Sequence, residues 1–243
     1  MRIGRNRYKT HGGLPQGSTN NLGTKLSFYL QNNVGVAVGE WSDQSASNND
    51  ATQATAGDQA ALAEGGLDFE KDEADHYDFG SQIEITEEHG FAVFIVCKPE
   101  SMGNHACILG LNATTHFLEF LASNDSVRVK LGAGGSATTT VTPDASNLFA
   151  NGEKFLMTLA RDSGGTGNLL LYKNGVLLSQ ASAGQAANTG DAEFLVLGNR
   201  TADRYLDGII HDIAFINMGA STNVPSDTID RINTYLLSKH GVN

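Results

Sequence analysis

The stretch LLLYKNGVLLS, residues 169–179, limits what this chain can fold into more than any other segment. Asn174-Gly175 stands between two runs of strand-forming residues. Asn and Gly tolerate the positive φ angles of a type I′ turn, whose twist matches that of two paired strands. The segment predicts a tight β-hairpin. A chain built round such a hairpin must pair its strands antiparallel, and the rest of the sequence carries the same signature. Phe91, Val93, Ile95 and Cys97 alternate with Ala92, Phe94, Val96 and Lys98. Both sets are mostly apolar, as in a strand covered on both faces.

Further short strands are expected at Leu26–Leu30, Leu67–Phe69, His76–Phe79, Ala106–Leu111, His116–Leu121, Ser126–Leu131, Ala137–Thr142, Lys154–Arg161, Glu193–Leu197 and Leu206–Asn217. In the last of these, Ile209, His211, Ile213 and Phe215 are expected to share one face, with His211 a satisfied buried histidine. A loop is expected from Trp41 to about Ala61, with Trp41 a core anchor beneath it. Near the C-terminus the period changes. Ile229, Ile232, Leu236 and Leu237 recur at helical spacing, Ser226 reads as the N-cap, and Gly241 reads as the stop. The expectation is an all-β, two-sheet antiparallel jelly-roll sandwich with one C-terminal amphipathic helix, spanning residues 25–243.

Composition supports one sizeable core. Hydrophobic residues make up 40% of the 243, too many for a disordered chain. The longest apolar run, Phe91–Cys97, is far too short for a membrane helix. Cys97 and Cys107 both fall in apolar strands and read as reduced, buried thiols. The start, MRIGRNRYKTHGG, has no apolar stretch behind it, so it reads as no secretory signal, and folding in a cytoplasm is expected.

Charge is distributed unevenly. The net charge is −11, but residues 1–25 hold Arg2, Arg5, Arg7, Lys9 and Lys25 and no acid, so −11 minus +5 leaves −16 on the remainder. An acidic body speaks against nucleic-acid binding, and no membrane partner is expected. Residues 1–24 read as a flexible basic arm. Arg2, Ile3, Arg5, Arg7, Tyr8 and Lys9 are its candidate assembly-anchoring residues, pairing positive charge with apolar groups that a partner surface would cover.

No catalytic constellation stands out. Glu70-Lys71-Asp72-Glu73-Ala74-Asp75 comes nearest to the paired carboxylates of a glycosidase, but it lies in a stretch, residues 64–88, with ten acids and one Lys, and reads as an exposed acidic loop. Gly-x-Ser-x-Gly is absent. Gly132-Ala133-Gly134-Gly135-Ser136-Ala137 spells a dinucleotide loop, but a strand-forming run follows it where a helix is needed. Asp43, Asn48, Asn49, Asp50, Asp203 and Asp207 offer hard oxygen donors for calcium, but at no defined ligand spacing, so no cofactor and no metal ligands are assigned. His76, His105, His116 and His211 form no cluster in the sequence. A sugar site needs exposed aromatics. Trp41 is the single Trp, and Tyr8, Tyr29, Tyr77, Tyr172, Tyr205 and Tyr235 are scattered. The ligand-binding residues stay unassigned.

Three stretches together resemble the concanavalin A-like lectin and laminin-G-like jelly-roll superfamily. They are GEWSDQSASNNDATQ (Gly39–Gln53), LLLYKNGVLLS, and LDGIIHDIAFINMG followed by IDRINTYLLSKHG. The resemblance runs from about Leu26 to Val242. Within that superfamily the basic arm and absent signal look like structural proteins of tailed, marine bacteriophages. The resemblance implies a non-enzymatic virion protein, a capsid decoration or a head or tail appendage, located in the virion. Its partners would be other capsid or tail proteins, and virion symmetry implies a homo-oligomer. The alternative is a lectin-like module that attaches to host-surface glycans. Fold alone does not choose between them.

Overall fold

The computed structural model describes residues 26–243, except 87–88, 103–104, 112–114, 122–125, 132–136, 142–148, 163–167, 182–191, 202 and 221–222. The strands in chain order are β1 (Leu26–Leu30), β2 (Val36–Ala37), β3 (Glu40–Trp41), β4 (Ala51–Thr52), β5 (Ala61–Ala63), β6 (Gly66–Phe69), β7 (Tyr77–Ile85), β8 (His89–Pro99) and β9 (Ala106–Gly110). They continue as β10 (Phe117–Leu121), β11 (Ser126–Leu131), β12 (Ala137–Val141), β13 (Phe155–Arg161), β14 (Leu169–Lys173), β15 (Val176–Ala181), β16 (Ala192–Leu197) and β17 (Gly208–Ala220). The α-helix α1 (Ser226–His240) closes the order among the described residues.

The strands form two antiparallel sheets. The eight-stranded sheet runs β15-β14-β13-β8-β17-β6-β5, with β1 also paired to β17. The nine-stranded sheet runs β12-β11-β10-β9-β16-β7-β4-β3-β2. Helix α1 covers the outside of the first sheet, giving three layers. This arrangement explains the doubly apolar β8. Phe91, Val93, Ile95 and Cys97 join the core between the sheets, while Ala92, Phe94 and Val96 pack under Ile229, Ile232 and Leu236 of the helix. Trp41 is wholly buried, its indole N–H donating to the carbonyl of Gln31 at 3.1 Å. Its loop is more ordered than expected, since β4 and a short 3₁₀ turn at Ala56–Asp58 interrupt it. Cys97 and Cys107 are buried and unpaired, and burial pushes both thiols up. Among the described residues, no helix is long and apolar enough to cross a membrane.

The hairpin forms as the sequence requires. Asn174 and Gly175 adopt φ of 50° and 79°, and β14 and β15 pair on either side. Asn174 also accepts a bond from the Leu156 N–H and donates one to the Asn243 carbonyl, tying the turn to β13 and the chain end. Substituting Gly175→Ala is expected to destabilise by about 1–2 kcal/mol, the left-handed penalty for a residue with a Cβ. That Cβ would meet nothing nearer than Leu237 Cδ1 at 3.5 Å. Urea unfolding of the variant measures the backbone effect directly, and an unchanged midpoint refutes it.

Two expectations fail locally. Ser226 is not the N-cap. Pro225 takes that place, no side chain caps the helix, and the Pro225 carbonyl accepts from Thr228 and Ile229. Gly241 does end the helix, in the left-handed region, with its N–H on the Leu237 carbonyl. The alternation assumed for β17 also breaks. The pairing with β8 shifts between Ile210 and Asp212. Ile210, Ile213 and Phe215 then enter the inter-sheet core, and His211 lies outside it. A bulge places one extra residue in a strand, so the side-chain period skips at that point.

A candidate ligand face on the nine-stranded sheet

In β10, Leu118 and Phe120 enter the inter-sheet core. Phe117 and Glu119 therefore point to the outer face of the nine-stranded sheet. Register with β11 sets Glu119 opposite Arg128 and Phe117 opposite Lys130. On the next strand, Thr140 stands opposite Arg128 and is exposed.

Glu119 is completely buried and is the centre of a charge cluster. One carboxylate oxygen pairs with an Arg128 guanidinium nitrogen and with His105 Nδ1 at 2.9 Å. The other faces Arg200 Nε at 3.0 Å. Arg200 arrives from the loop after β16. Gly110 of β9 makes this possible, because a Cβ there would strike the Asn199 carbonyl and the Arg200 side chain. The missing side chain lets the loop cross the sheet and lay the Arg200 guanidinium 3.8 Å from the Phe117 ring centre. Arg128 lies over the same ring at 5.0 Å. A planar cation on a ring face is held electrostatically as well as by packing. Burial lowers Arg200 from the usual arginine range, with Glu119 opposing the shift. Burial likewise lowers His105, so its neutral form prevails at neutral pH despite Glu119. Arg204 is near enough to repel both Arg200 and His105, and its Nε is 3.3 Å from Asp203.

A second polar cluster fastens α1. Asp212, wholly buried, accepts from Lys239 Nζ at 2.8 and 3.0 Å, pairs with His240, and accepts from the Asn32 N–H at 3.1 Å. Next to it, His211 is 1% exposed and its ring centre is 5.7 Å from that of His240. Neither His211 ring nitrogen has a hydrogen-bond partner, and Glu64 stands 3.6 Å from Nε2. The expectation of a satisfied histidine is corrected here. It is buried, outside the inter-sheet core, with half-exposed Glu64 as its nearest acid. Burial pushes it down to about 4, with Lys154 and His240 adding repulsion.

The acidic segment is partly as expected. Glu70, Lys71, Asp72 and Glu73 are exposed, but Asp75 is 1% exposed and accepts from the Glu70 N–H. Asp68, Glu70, Asp75 and Asp207 are all raised, first by burial. Asp43 accepts from the N–H groups of Tyr29, Ser45 and Asn49 and from the Ser45 hydroxyl, so it closes its own loop. Among the described residues, no three His, Cys, Asp or Glu side chains gather in a metal-holding group.

The sequence-assigned anchors Arg2, Ile3, Arg5, Arg7, Tyr8 and Lys9 lie outside the described residues. Glu119, Arg128 and Arg200 were not singled out from the sequence. Glu119 alternating with Phe117 among apolar neighbours was the available signal: a lone acid in an otherwise apolar strand. His105 does join a cluster, and His211 pairs with His240, contrary to the expectation of isolated histidines.

The family model for the concanavalin A-like lectin/glucanases superfamily matches residues 71–221, and the chain belongs to that family. No curated protein sequence matches it. Solved structures match at the level of fold. The binding domain of Paraclostridial Mosquitocidal Protein 1 has a TM-score of 0.58 at 12% identity, covering 89% of this chain and 53% of that one. The botulinum neurotoxin type G receptor binding domain has a TM-score of 0.54 at 14% identity, covering 88% and 51%. The Trypanosoma rangeli sialidase has a TM-score of 0.57 at 14% identity, covering 92% and 37%. The chain thus spans about half the length, or less, of these three structures.

Proposed function

We propose that this chain is a non-catalytic binding module whose ligand is a glycan, and that residues 1–24 tie it to a larger assembly. The observation that carries the first half is the state of Glu119. It is the one fully buried acid described on the outer face of the nine-stranded sheet, and two arginines and a histidine occupy it. Most glycoside hydrolases use two carboxyl groups, roughly 5–9.5 Å apart, one of them free to attack or to activate water. Cations and a ring fixed on paired strands suit recognition instead. Two of the similar structures are binding domains by name, which supports the same reading. A tailed-phage virion is the assembly that the sequence resembles. The charge contrast between the arm and the rest supports anchorage by the arm.

One observation favours catalysis as a second reading. Asp68, Glu70, Asp75 and Asp207 all hold protons more tightly than ordinary carboxylates, and perturbed acids gather at active sites. A sialidase also stands among the similar structures. The test is a glycan array combined with a hydrolysis assay. Retention on glycans without release of reducing ends from laminarin, agar or alginate is the expected result. Release above a protein-free blank that disappears in Glu70→Gln overturns the non-catalytic reading. A flat array overturns the glycan reading. Full decoration of particles by protein lacking residues 2–20 overturns the anchor.

A further inference from the structure

We propose that the outer face of the nine-stranded sheet around Arg128, Arg200 and Arg204 binds the anionic group, carboxylate or sulfate, of an acidic glycan. The inference rests on the glycan-binding reading and names its ligand class.

The first argument is charge. Beyond residue 25 the chain carries a net −16, from −11 minus the +5 of its start, yet three of its five arginines in that span converge on this face. Lys130 adds a fourth cation, two residues along β11 from Arg128 and opposite Phe117. Glu119 and Asp203 are the acids paired to these arginines. An acidic body repels acidic polymers in general, so binding one requires a local positive island of this kind.

The second argument is hydrogen bonding. A guanidinium carries five N–H donors in a rigid fork and no acceptor. Glu119 has two oxygens to offer two such forks. Arg128 Nε is buried with no partner, and Arg200 Nε faces Glu119 at 3.0 Å but out of hydrogen-bond alignment. Glu119 Oε2 is likewise without an aligned donor, so the buried donor left over is Arg128 Nε, beside guanidinium N–H groups that outnumber the two oxygens of Glu119. A carboxylate or sulfate presents the planar or tripodal oxygens that arginine forks bind in pairs. A second anion would also offset the desolvation that lowers Arg200.

The third argument is preorganisation with access. Phe117 and Gly110 fix Arg200, and strand pairing fixes Arg128, so little side-chain entropy is lost on binding. The Arg128 and Arg204 side chains are 23% and 28% exposed, and exposed Thr140 stands opposite Arg128 on the neighbouring strand.

The experiment is biolayer interferometry of the full chain against immobilised alginate and polygalacturonate oligomers, a sulfated carrageenan oligomer, and neutral laminarin oligomers. Acidic oligomers are expected to bind at least ~10-fold more tightly than neutral ones, with affinity falling as salt rises. Arg128→Lys keeps the charge but loses the fork, and Arg204→Gln removes an exposed cation. Each is expected to weaken acidic binding about 10-fold, the scale of one charge-assisted hydrogen bond. Lys98→Gln, on the other sheet and paired to Glu64, is expected to leave binding unchanged. Thermal unfolding checks that each variant folds. Equal binding of neutral and acidic oligomers overturns the acidic class and keeps the glycan reading. Acidic binding unaffected by both arginine variants overturns the site. No binding to any oligomer overturns both. The carboxylated and sulfated probes compared with each other show which anion is preferred.

Discussion

Replacing Glu119 by alanine is expected to destabilise the protein by about 3–5 kcal/mol, the usual consequence of removing one partner from a buried ion pair. Glu119 is fully buried, and the Arg200 side chain paired to it is only 7% exposed. Without the carboxylate, Arg200 and Arg128 confront each other over Phe117 in a medium that solvates them poorly. The cavity left by the side chain adds to the loss. In a domain of this size, each kcal/mol corresponds to a fall of roughly 2–4 °C in Tm. Glu119→Gln retains volume and one acceptor and is expected to fall between wild type and Glu119→Ala. Asp227→Ala is the control. Its partner Arg231 is one turn away on the same helix at 3.6 Å, and both side chains are exposed. Such i,i+4 pairs contribute only ~0.3–0.5 kcal/mol. Urea unfolding of the three variants ranks them. A Glu119→Ala loss no greater than that of Asp227→Ala refutes the buried cluster.

Acid is expected to weaken the fold through His211. The usual histidine pKa is about 6.5, and burial pushes His211 down to about 4. Between those values the unfolded chain takes up a proton that the folded one refuses. Stability is therefore retained above pH ~6.5, declines as the pH falls toward 4, and levels off below it. At about 1.36 kcal/mol per unit, the full effect is about 3 kcal/mol. Protonation also sets a cation beside Lys154 and His240, with only half-exposed Glu64 to compensate. Asp68, Glu70, Asp75 and Asp207 act in the opposite sense. Their folded pKa values are raised, so their protonation favours the folded state as pH falls. The difference between wild type and His211→Phe cancels those carboxylates and isolates the histidine. Unfolding free energies at pH 7 and pH 4 are expected to diverge by about 3 kcal/mol in favour of the variant at the lower pH. Parallel pH profiles for the two proteins refute the assignment. Because His211 adjoins the Asp212–Lys239–His240 fastening, helix α1 is expected to detach early in the acid transition. Hydrogen exchange along residues 226–240 reads that directly.

The hairpin at Asn174-Gly175, the double apolar face of β8, the helix over the last residues and its Gly241 stop were all legible in the sequence. Each rests on short-range rules: positive φ at two turn residues, a period of two, a period near 3.6. Burial of Trp41 was legible too, since a lone large apolar side chain beside a polar loop has few other places to go. The two-sheet architecture followed from how many such segments recur and how closely they are spaced.

What the sequence alone did not determine lies where long-range geometry overrides local periodicity. The bulge at His211 is a mismatch in pairing between β17 and β8, whose residues are more than a hundred positions apart, and no period in either strand records it. The helix begins one residue earlier than the capping pattern suggested, with Pro225 in the cap position and its carbonyl accepting the first intrahelical bonds from Thr228 and Ile229. The ligand face is the fullest example. Phe117 and Glu119 come from β10, Arg128 from β11, His105 from the residues before β9, and Arg200 from the loop after β16. Short-range rules decided the strands, turn and helix, because those depend on each residue's own φ, ψ and neighbours. The charge cluster was decided by tertiary structure alone, because only strand register and one missing side chain at Gly110 bring those four elements within hydrogen-bond reach.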